Sequence, residues 1–316
     1  MRLNIALLIL MTTAMTGSKT FSQAPNIVSD VITEYRYPVN YVKVDQDTQV
    51  AYVDEGEGSK TLLFVHGLAT YLPSWYKNID ALKSKYRCVA IDLPGYGMSS
   101  KGNASISMNE YAMIVLKIMD QLGLKNVVLV GHSMGGQVAV TTVLKRLDQF
   151  DQLILLAPAG FETFSSEQAT WLKTVFTVAS VEDATEAQIR ANWSLNFYSM
   201  PSDVEFMIQD RLKMIEAEDF NAYCQAVVGG MHAMLDEPIF DQLKNIKQRT
   251  LVVYGANDGL IPNKYLNPDL TTQAVGERGA GQMSNVTLKF IPDCGHFISF
   301  DKPEETNEIL HDFLSK

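Results

Sequence analysis

The feature that most constrains this chain is a strand-like run that passes, through a very short turn, into a helix-like run, with a serine at the turn. Apolar residues at 127–130 precede Gly131-His132-Ser133-Met134-Gly135, and residues 137–144 continue as a helix-like stretch. A serine at such a turn has a strained backbone, and its hydroxyl projects into open space beside a helix N-terminus. Glycine is expected at 131 and 135 because side chains there would collide where strand and helix approach each other. The pattern predicts a nucleophilic serine at position 133.

Three other loops that carry polar groups follow strand-like runs. Asp258 follows one such run and His296 follows the next, so that serine, acid and histidine occur in that order along the chain. An earlier run ends in His66-Gly67-Leu68. In an open sheet of parallel strands, functional loops gather at the carboxyl ends of the strands. We therefore expect these loops to meet beside Ser133.

A further motif makes the set resemble the α/β-hydrolase superfamily. It reads Asp92-Leu93-Pro94-Gly95-Tyr96-Gly97-Met98-Ser99 and follows a strand-like run that begins at Cys88. The resemblance extends from about Val39 to the C-terminus and rests on these motifs in order, each at a strand end. It implies an α/β fold with a mostly parallel, doubly wound sheet that helices cover on both faces.

The resemblance also implies a role for each motif residue. Ser133 would be the nucleophile, His296 the base that takes its proton, and Asp258 the acid that orients the imidazole. The backbone N–H groups of Leu68 and Met134 would form the oxyanion hole. Haloalkane dehalogenases and epoxide hydrolases resemble this chain but carry an aspartate at the elbow, so the serine argues against both.

Other polar residues near these motifs have structural interpretations. Asp293 is the rival acid because it lies close to His296 in the sequence, but Asp258 ends the preceding strand and fits the order better. We expect His66 and His132 to shape their loops by hydrogen bonding. Asp92, which stands next to Pro94-Gly95, is also interpreted as structural.

Strand-like and helix-like runs alternate along most of the chain, which predicts a mostly parallel sheet between helices. We expect the core over residues 23–160 and 231–316, with a helical cap over 161–230 inserted after the sixth strand. The polar, glycine-containing segment Asn263–Asn285 is interpreted as a loop that edges the pocket. The predicted strands are Tyr41–Val44, Gln49–Val53, Leu62–Val65, Val89–Ile91, Val127–Val130, Leu153–Leu156, Leu251–Tyr254 and Thr287–Ile291, and the helices outside the cap are Ser74–Lys83, Met108–Leu122, Gln137–Leu147 and Pro303–Leu314.

The N-terminus has the layout of a secretory signal peptide. Arg2 precedes an apolar run at 5–11, and polar residues follow with small side chains at Thr20 and Ser22. The apolar run is too short to span a bilayer comfortably. We predict export with cleavage near Ser22, which removes residues 1–22; an uncleaved anchor or a tail is the alternative.

The amino-acid composition limits which partners the protein is expected to bind. The formal net charge of −10 repels nucleic acid and anionic membrane surfaces, so neither is expected to bind. The three cysteines, an odd number, do not form a disulfide framework. There is no Cys/His cluster at metal-ligand spacing, and we predict no metal and no cofactor.

Together these features predict an exported serine hydrolase that cleaves carboxylic esters through an acyl-enzyme. The Met and aromatic residues of the cap predict an apolar pocket, which favours small, fairly apolar ester substrates. Two alternatives stay open. One is carbon–carbon bond hydrolysis of the ring-cleavage type, whose enzymes also keep the serine, and the other is a ligand-binding protein without catalysis.

Overall fold

The computed structural model describes residues 26–102 and 106–316. The predicted signal segment, residues 1–22, lies outside these ranges. Within them, no helix is both long enough and apolar enough to cross a membrane.

A single sheet of eight strands forms the centre of the protein. The strands are β1 (Asn40–Lys43), β2 (Gln49–Glu55), β3 (Thr61–Val65), β4 (Arg87–Ile91), β5 (Val127–His132), β6 (Gln152–Leu156), β7 (Arg249–Gly255) and β8 (Val286–Ile291). Their order in the sheet is β1-β2-β4-β3-β5-β6-β7-β8. Strand β2 pairs antiparallel with both of its neighbours, β1 and β4, and all other neighbours are parallel. The central strands are buried along their whole length because helices cover both faces. The mostly parallel sheet predicted from the alternation is confirmed.

Helices of the core form two packed groups. One contains α2, α11 and α12; the other contains α3 and α4, and α4 also lies against β3, β5 and β6. Local sequence sets several helix starts. Ser107 accepts a hydrogen bond from the N–H of Glu110 at the start of α3, and α12 begins with Pro303. The core helices are α1 (Val28–Val31), α2 (Tyr76–Leu82), α3 (Met108–Gln121), α4 (Met134–Lys145), α10 (Thr272–Ala280), α11 (Ile298–Asp301) and α12 (Pro303–Leu314).

The helical insertion follows β6, the sixth strand, as the resemblance implied. Its helices are α5 (Ser166–Val175), α6 (Val178–Glu182), α7 (Glu186–Ser194), α8 (Glu205–Lys213) and α9 (Phe220–Asp236). The expected boundary at residue 230 falls inside α9, which continues to Asp236. The last cap helix therefore extends six residues past the expected boundary.

The interpretation of Asn263–Asn285 as a loop is wrong for its middle part, where α10 forms, although Asn263 at its start does line the pocket described below. Thr271 caps this helix by accepting a hydrogen bond from the N–H of Ala274. The glycines that suggested a loop serve close packing instead. A Cβ on Gly279 would lie 2.0 Å from a ring carbon of Phe161, and one on Gly276 would lie 2.9 Å from Phe290.

The segment before β1 ties the cap to the core. The N–H of Val28 donates to Asp219 beside α9, over 2.7 Å. The N–H and hydroxyl of Thr33 both donate to the buried Asp210 of α8, which also accepts from the hydroxyl of Tyr71 in the core. Cap helix α8 is thus held both by the segment before β1 and by the core.

Candidate active site

Ser133 occupies a strained turn between β5 and α4. Its φ of 52° and ψ of −118° lie in a region that non-glycine residues rarely adopt. The flanking glycines make the turn possible: a Cβ on Gly131 would lie 2.2 Å from the carbonyl oxygen of Gly135, and one on Gly135 would lie 2.2 Å from that of Val65. The serine is held at the end of the central strand, at the N-terminus of a helix.

The loop after β3 lies directly beside this turn. A Cβ on Gly67 would be 3.2 Å from the Cβ of Ser133, so glycine is needed at this close approach. Among the described residues, the N–H groups of Leu68 and Met134 have no hydrogen-bond acceptor. The first N–H groups of a helix have no partner within that helix, which explains Met134. Both predicted oxyanion donors are free to bind an oxygen beside Ser133.

The predicted base and acid meet at the same edge of the sheet. Nδ1 of His296 lies 2.8 Å from Oδ2 of Asp258, and both side chains are buried. The other oxygen of Asp258 accepts from the N–H groups of Leu260 and Ile261, at 2.8 and 2.9 Å. Asp293 is exposed and makes no contact with the imidazole. Because a carboxylate only accepts, Nδ1 carries the proton and Nε2 is left as the basic nitrogen.

Two further histidines hold the loops in place in their neutral form. Nε2 of His132 donates to the carbonyl of His296 over 3.0 Å, and its ring stacks on Phe297. Nδ1 of His66 donates to the carbonyl of Gly67, while its Nε2 accepts from the N–H of Leu93. Burial lowers the pKa of His66 to about 4 and, together with the nearby His296, that of His132 to about 3. Their hydrogen bonds are to the backbone, in agreement with the structural role expected of them.

Asp92 also has a structural role, because it holds loops in place by hydrogen bonding. It is fully buried and accepts hydrogen bonds from the hydroxyl of Tyr35 and the N–H groups of Leu72 and Met98. It thereby anchors the loops after β3 and β4. Burial raises the pKa of this carboxyl to about 6.

A cavity of about 720 Å³ lies between the core and the cap, and Ser133, His296, Gly67 and Leu68 line its floor. The cap contributes mainly apolar side chains, as the aromatic and Met content predicted. These are Phe176, Ile189, Trp193, Tyr223, Val227 and Met231. Of these, the members from α9 are spaced four residues apart and form one helix face.

Sequence reasoning missed several polar residues that line this cavity, among them Arg211 on α8 and Gln137 on α4. Nη2 of Arg211 donates to the carbonyl of Val181 over 2.6 Å, and the guanidinium lies over the ring of Phe220. Its Nη1 is buried without a partner. A basic residue in the last turn of a helix is ordinary in a sequence, so nothing in the pattern marked it.

Several known proteins are similar to this chain. Residues 60–303 match the family described as alpha/beta hydrolase fold. The dihydrolipoyllysine-residue acetyltransferase component of the acetoin cleaving system of Cupriavidus necator is 28% identical over 302 residues, which cover 91% of this chain and 75% of that protein. The 2-hydroxy-6-oxononadienedioate/2-hydroxy-6-oxononatrienedioate hydrolase of Paraburkholderia phymatum is 27% identical over 290 residues, covering 88% and 95%.

A solved structure agrees at the level of the fold. The probable hydrolytic enzyme of Pseudomonas aeruginosa PAO1 superposes with a TM-score of 0.80 at 23% identity, and the match covers 93% of this chain and 99% of that one. The family match spans most of the chain, including the elbow, the acid and the histidine. The protein therefore belongs to the α/β-hydrolase fold family.

Proposed function

We propose that this hydrolase cleaves carboxylic esters through an acyl-enzyme on Ser133. The observation that carries the proposal is the position of Ser133 and His296 on the floor of one cavity, with Asp258 bonded to the imidazole behind them. A neutral hydroxyl is a weak nucleophile, and a positioned base is what makes it reactive. These three residues are the nucleophile, base and acid that acyl transfer needs.

The proposed reaction uses these three residues in turn. Nε2 of His296 takes the proton of Ser133 as its Oγ attacks the ester carbonyl, and then returns that proton to the leaving alcohol. Asp258 keeps the proton of the imidazole on Nδ1 and stabilises the imidazolium that forms. Water then attacks the acyl-enzyme by the same route and releases the acid.

The free N–H groups of Leu68 and Met134 make the second contribution to catalysis, which is stabilisation of the intermediate. They are fixed before substrate arrives, and we assign them to the oxygen that becomes negative in the tetrahedral intermediate. Loss of one such donor costs about 3–4 kcal/mol in comparable sites.

The test is hydrolysis of p-nitrophenyl esters of graded chain length, together with labelling by a fluorophosphonate probe. Ser133→Ala should abolish both while the protein stays folded. Ser180→Ala is the matched control, because this serine also lines the cavity but lies on an ordinary helix. Labelling that persists in Ser133→Ala would remove the serine assignment.

A second candidate, carbon–carbon bond hydrolysis, is favoured by Arg211. No carboxylate of the described residues pairs with this guanidinium, whose Nη1 is buried without a partner. A buried charge is normally paired, and arginine binds carboxylates through two parallel hydrogen bonds. The relative from Paraburkholderia phymatum is named for dicarboxylate substrates. A ring-cleavage dienone acid would place a carboxylate here.

This candidate is tested by running such a dienone acid beside the ester panel, with Arg211→Met and Arg211→Lys. Turnover of the acid that is lost in Arg211→Met and partly kept in Arg211→Lys supports carbon–carbon hydrolysis. Turnover of neutral esters alone, unchanged in both variants, leaves ester hydrolysis as the function.

We also propose that the protein is exported with cleavage near Ser22. The proposal is supported by the N-terminal sequence pattern. N-terminal mass spectrometry of protein made in a host with a general secretion pathway should find a start at or near Gln23. An intact Met1 on a cytosolic product would contradict export.

A further inference from the structure

Gln137 is a fully buried side chain whose amide has a fixed orientation. Its Nε2 donates to the carbonyls of Met234 and Glu237, over 3.0 and 2.9 Å. The reversed amide would place its oxygen against two carbonyl oxygens, which is repulsive. Oε1 is therefore an acceptor, and it is buried with no donor among the described residues.

Gln137 is one of the residues that line the cavity, and its N–H donates to the carbonyl of Ser133, one helical turn away. Gly160, which also lines the cavity, leaves room beside the amide: a Cβ there would lie 3.2 Å from Oε1. A buried acceptor without a partner is costly, so its retention points to a donor that arrives with the ligand.

The contacts of helix α9 locate Gln137 relative to the predicted oxyanion donors. Gly230 faces the oxyanion loop, since a Cβ on it would lie 3.0 Å from the side chains of Leu68 and Met134. Met234, whose carbonyl binds Gln137, lies one turn further, about 6 Å along the helix axis. Tyr223, which lies beside Arg211, is about 10 Å away in the opposite direction. Gln137 and Arg211 therefore contact α9 on opposite sides of Gly230, the residue that faces Leu68 and Met134.

We propose that Gln137 is a specificity-determining residue that binds a hydroxyl or N–H group of the substrate, on the side of the scissile carbonyl away from Arg211. The inference rests on the proposed function, because it names the chemistry of that site's substrate. The group that enters this end of the cavity is neutral and polar, and it sits about one helical turn from the carbonyl. The donor belongs either to the acid part or to the alcohol part of the ester.

The test compares substrates that differ only in this group. Methyl ω-hydroxyalkanoates of graded chain length are each paired with the methyl alkanoate that has a methyl group in place of the hydroxyl. A second arm pairs ω-hydroxyalkyl butyrates with alkyl butyrates. The arm that shows a preference identifies whether the acid or the alcohol carries the donor.

The wild-type protein should prefer the hydroxyl member of at least one pair by about tenfold or more in kcat/KM. Gln137→Met should abolish this preference, so that the kcat/KM values of the two members of the pair become equal within about threefold. Gln248→Met is the matched control and should keep the preference. Gln248 is also buried and donates to a backbone carbonyl, that of Leu147, but it does not line the cavity.

A preference for the methyl member at every chain length in both arms overturns the proposal, as does a preference that survives in Gln137→Met. If Gln137→Met does not fold, the ¹⁵N-labelled side-chain amide of Gln137 in Ser133→Ala replaces it. The hydroxyl ligand should shift that resonance more than its methyl partner, and equal shifts overturn the inference. Ester turnover that persists in Ser133→Ala would instead remove the proposed function, so the two failures are distinguishable.

Discussion

Nε2 of His132 donates a hydrogen bond to the carbonyl oxygen of His296, 3.0 Å away, and so joins the residue before the nucleophile to the residue proposed as its base. The bond crosses between two loops that are 164 positions apart in the chain. It restrains the backbone of His296 from one side while Asp258 restrains the imidazole from the other. The loop that carries His296 is thus restrained relative to the turn that carries Ser133.

His132→Phe should lower kcat by about tenfold with little change in KM, because the ring still stacks on Phe297 but the loop of His296 loses its restraint. Stability should fall by about 1–3 kcal/mol, since a buried carbonyl is left unpaired. Steady-state kinetics and urea unfolding measure the two effects. His232→Phe is the control: it loses a similar bond to the carbonyl of Phe176 within the cap, so kcat should hold. Equal losses of kcat in both variants would contradict a positioning role for His132.

Asp258→Asn should reduce turnover by at least about two orders of magnitude, because the amide can present an N–H to Nδ1 and favour the wrong tautomer. The melting temperature should change little. Asp293→Asn is the matched control and should be nearly silent, because that side chain is exposed. The measurement is both variants on one ester. A crippled Asp293→Asn beside an active Asp258→Asn would reverse the assignment of the acid.

Acid should destabilise the fold through its buried histidines. The folded-state pKa is lowered to about 4 for His66 and about 3 for His132, so below the unfolded value of about 6.5 the unfolded chain binds more protons. Their contribution to stability is complete above about pH 6.5 and is lost as the pH falls towards those lowered values. The pKa of Asp92 is raised to about 6, so this carboxyl has the opposite effect on stability as the pH falls, but the two histidines together outweigh it.

The expected result is a free energy of unfolding that declines by several kcal/mol between about pH 6.5 and pH 4. Urea titrations at a series of pH values measure it. A constant free energy across this range would show that the two imidazoles are not held neutral.

Gly279→Ala should destabilise the protein by about 1–3 kcal/mol, although alanine is the better helix former. The reason is the approach of Phe161, whose ring carbon would lie 2.0 Å from the new Cβ. Gly281→Ala at the end of the same helix is the control, since that position is exposed and meets only the helix's own carbonyls. Thermal unfolding of the pair checks the prediction, which fails if Gly279→Ala is neutral or stabilising.

The sequence by itself determined the local parts of this protein. Gly131 is required by the turn itself, because a Cβ there would meet the carbonyl oxygen of Gly135, so the strand, turn and helix follow largely from adjacent residues. Gly135 is required by the close approach of Val65 in β3. The alternation of strands and helices gave the parallel sheet for a similar reason, because each element's apolar pattern is set by near neighbours. Glycine misled at α10, since its need for close packing arises from Phe161 and Phe290, which are distant in the chain.

Only the tertiary structure decided which acid meets the histidine and which polar atoms have no partner. Asp293 is three positions from His296, yet β7 and β8 are neighbours in register and bring Asp258 to the imidazole instead. The unpaired atoms of Arg211 and Gln137 are invisible in the sequence because satisfaction of a buried group depends on everything packed around it. The chain encodes the elbow locally, whereas the chemistry of the cavity is a property of groups that meet only after folding.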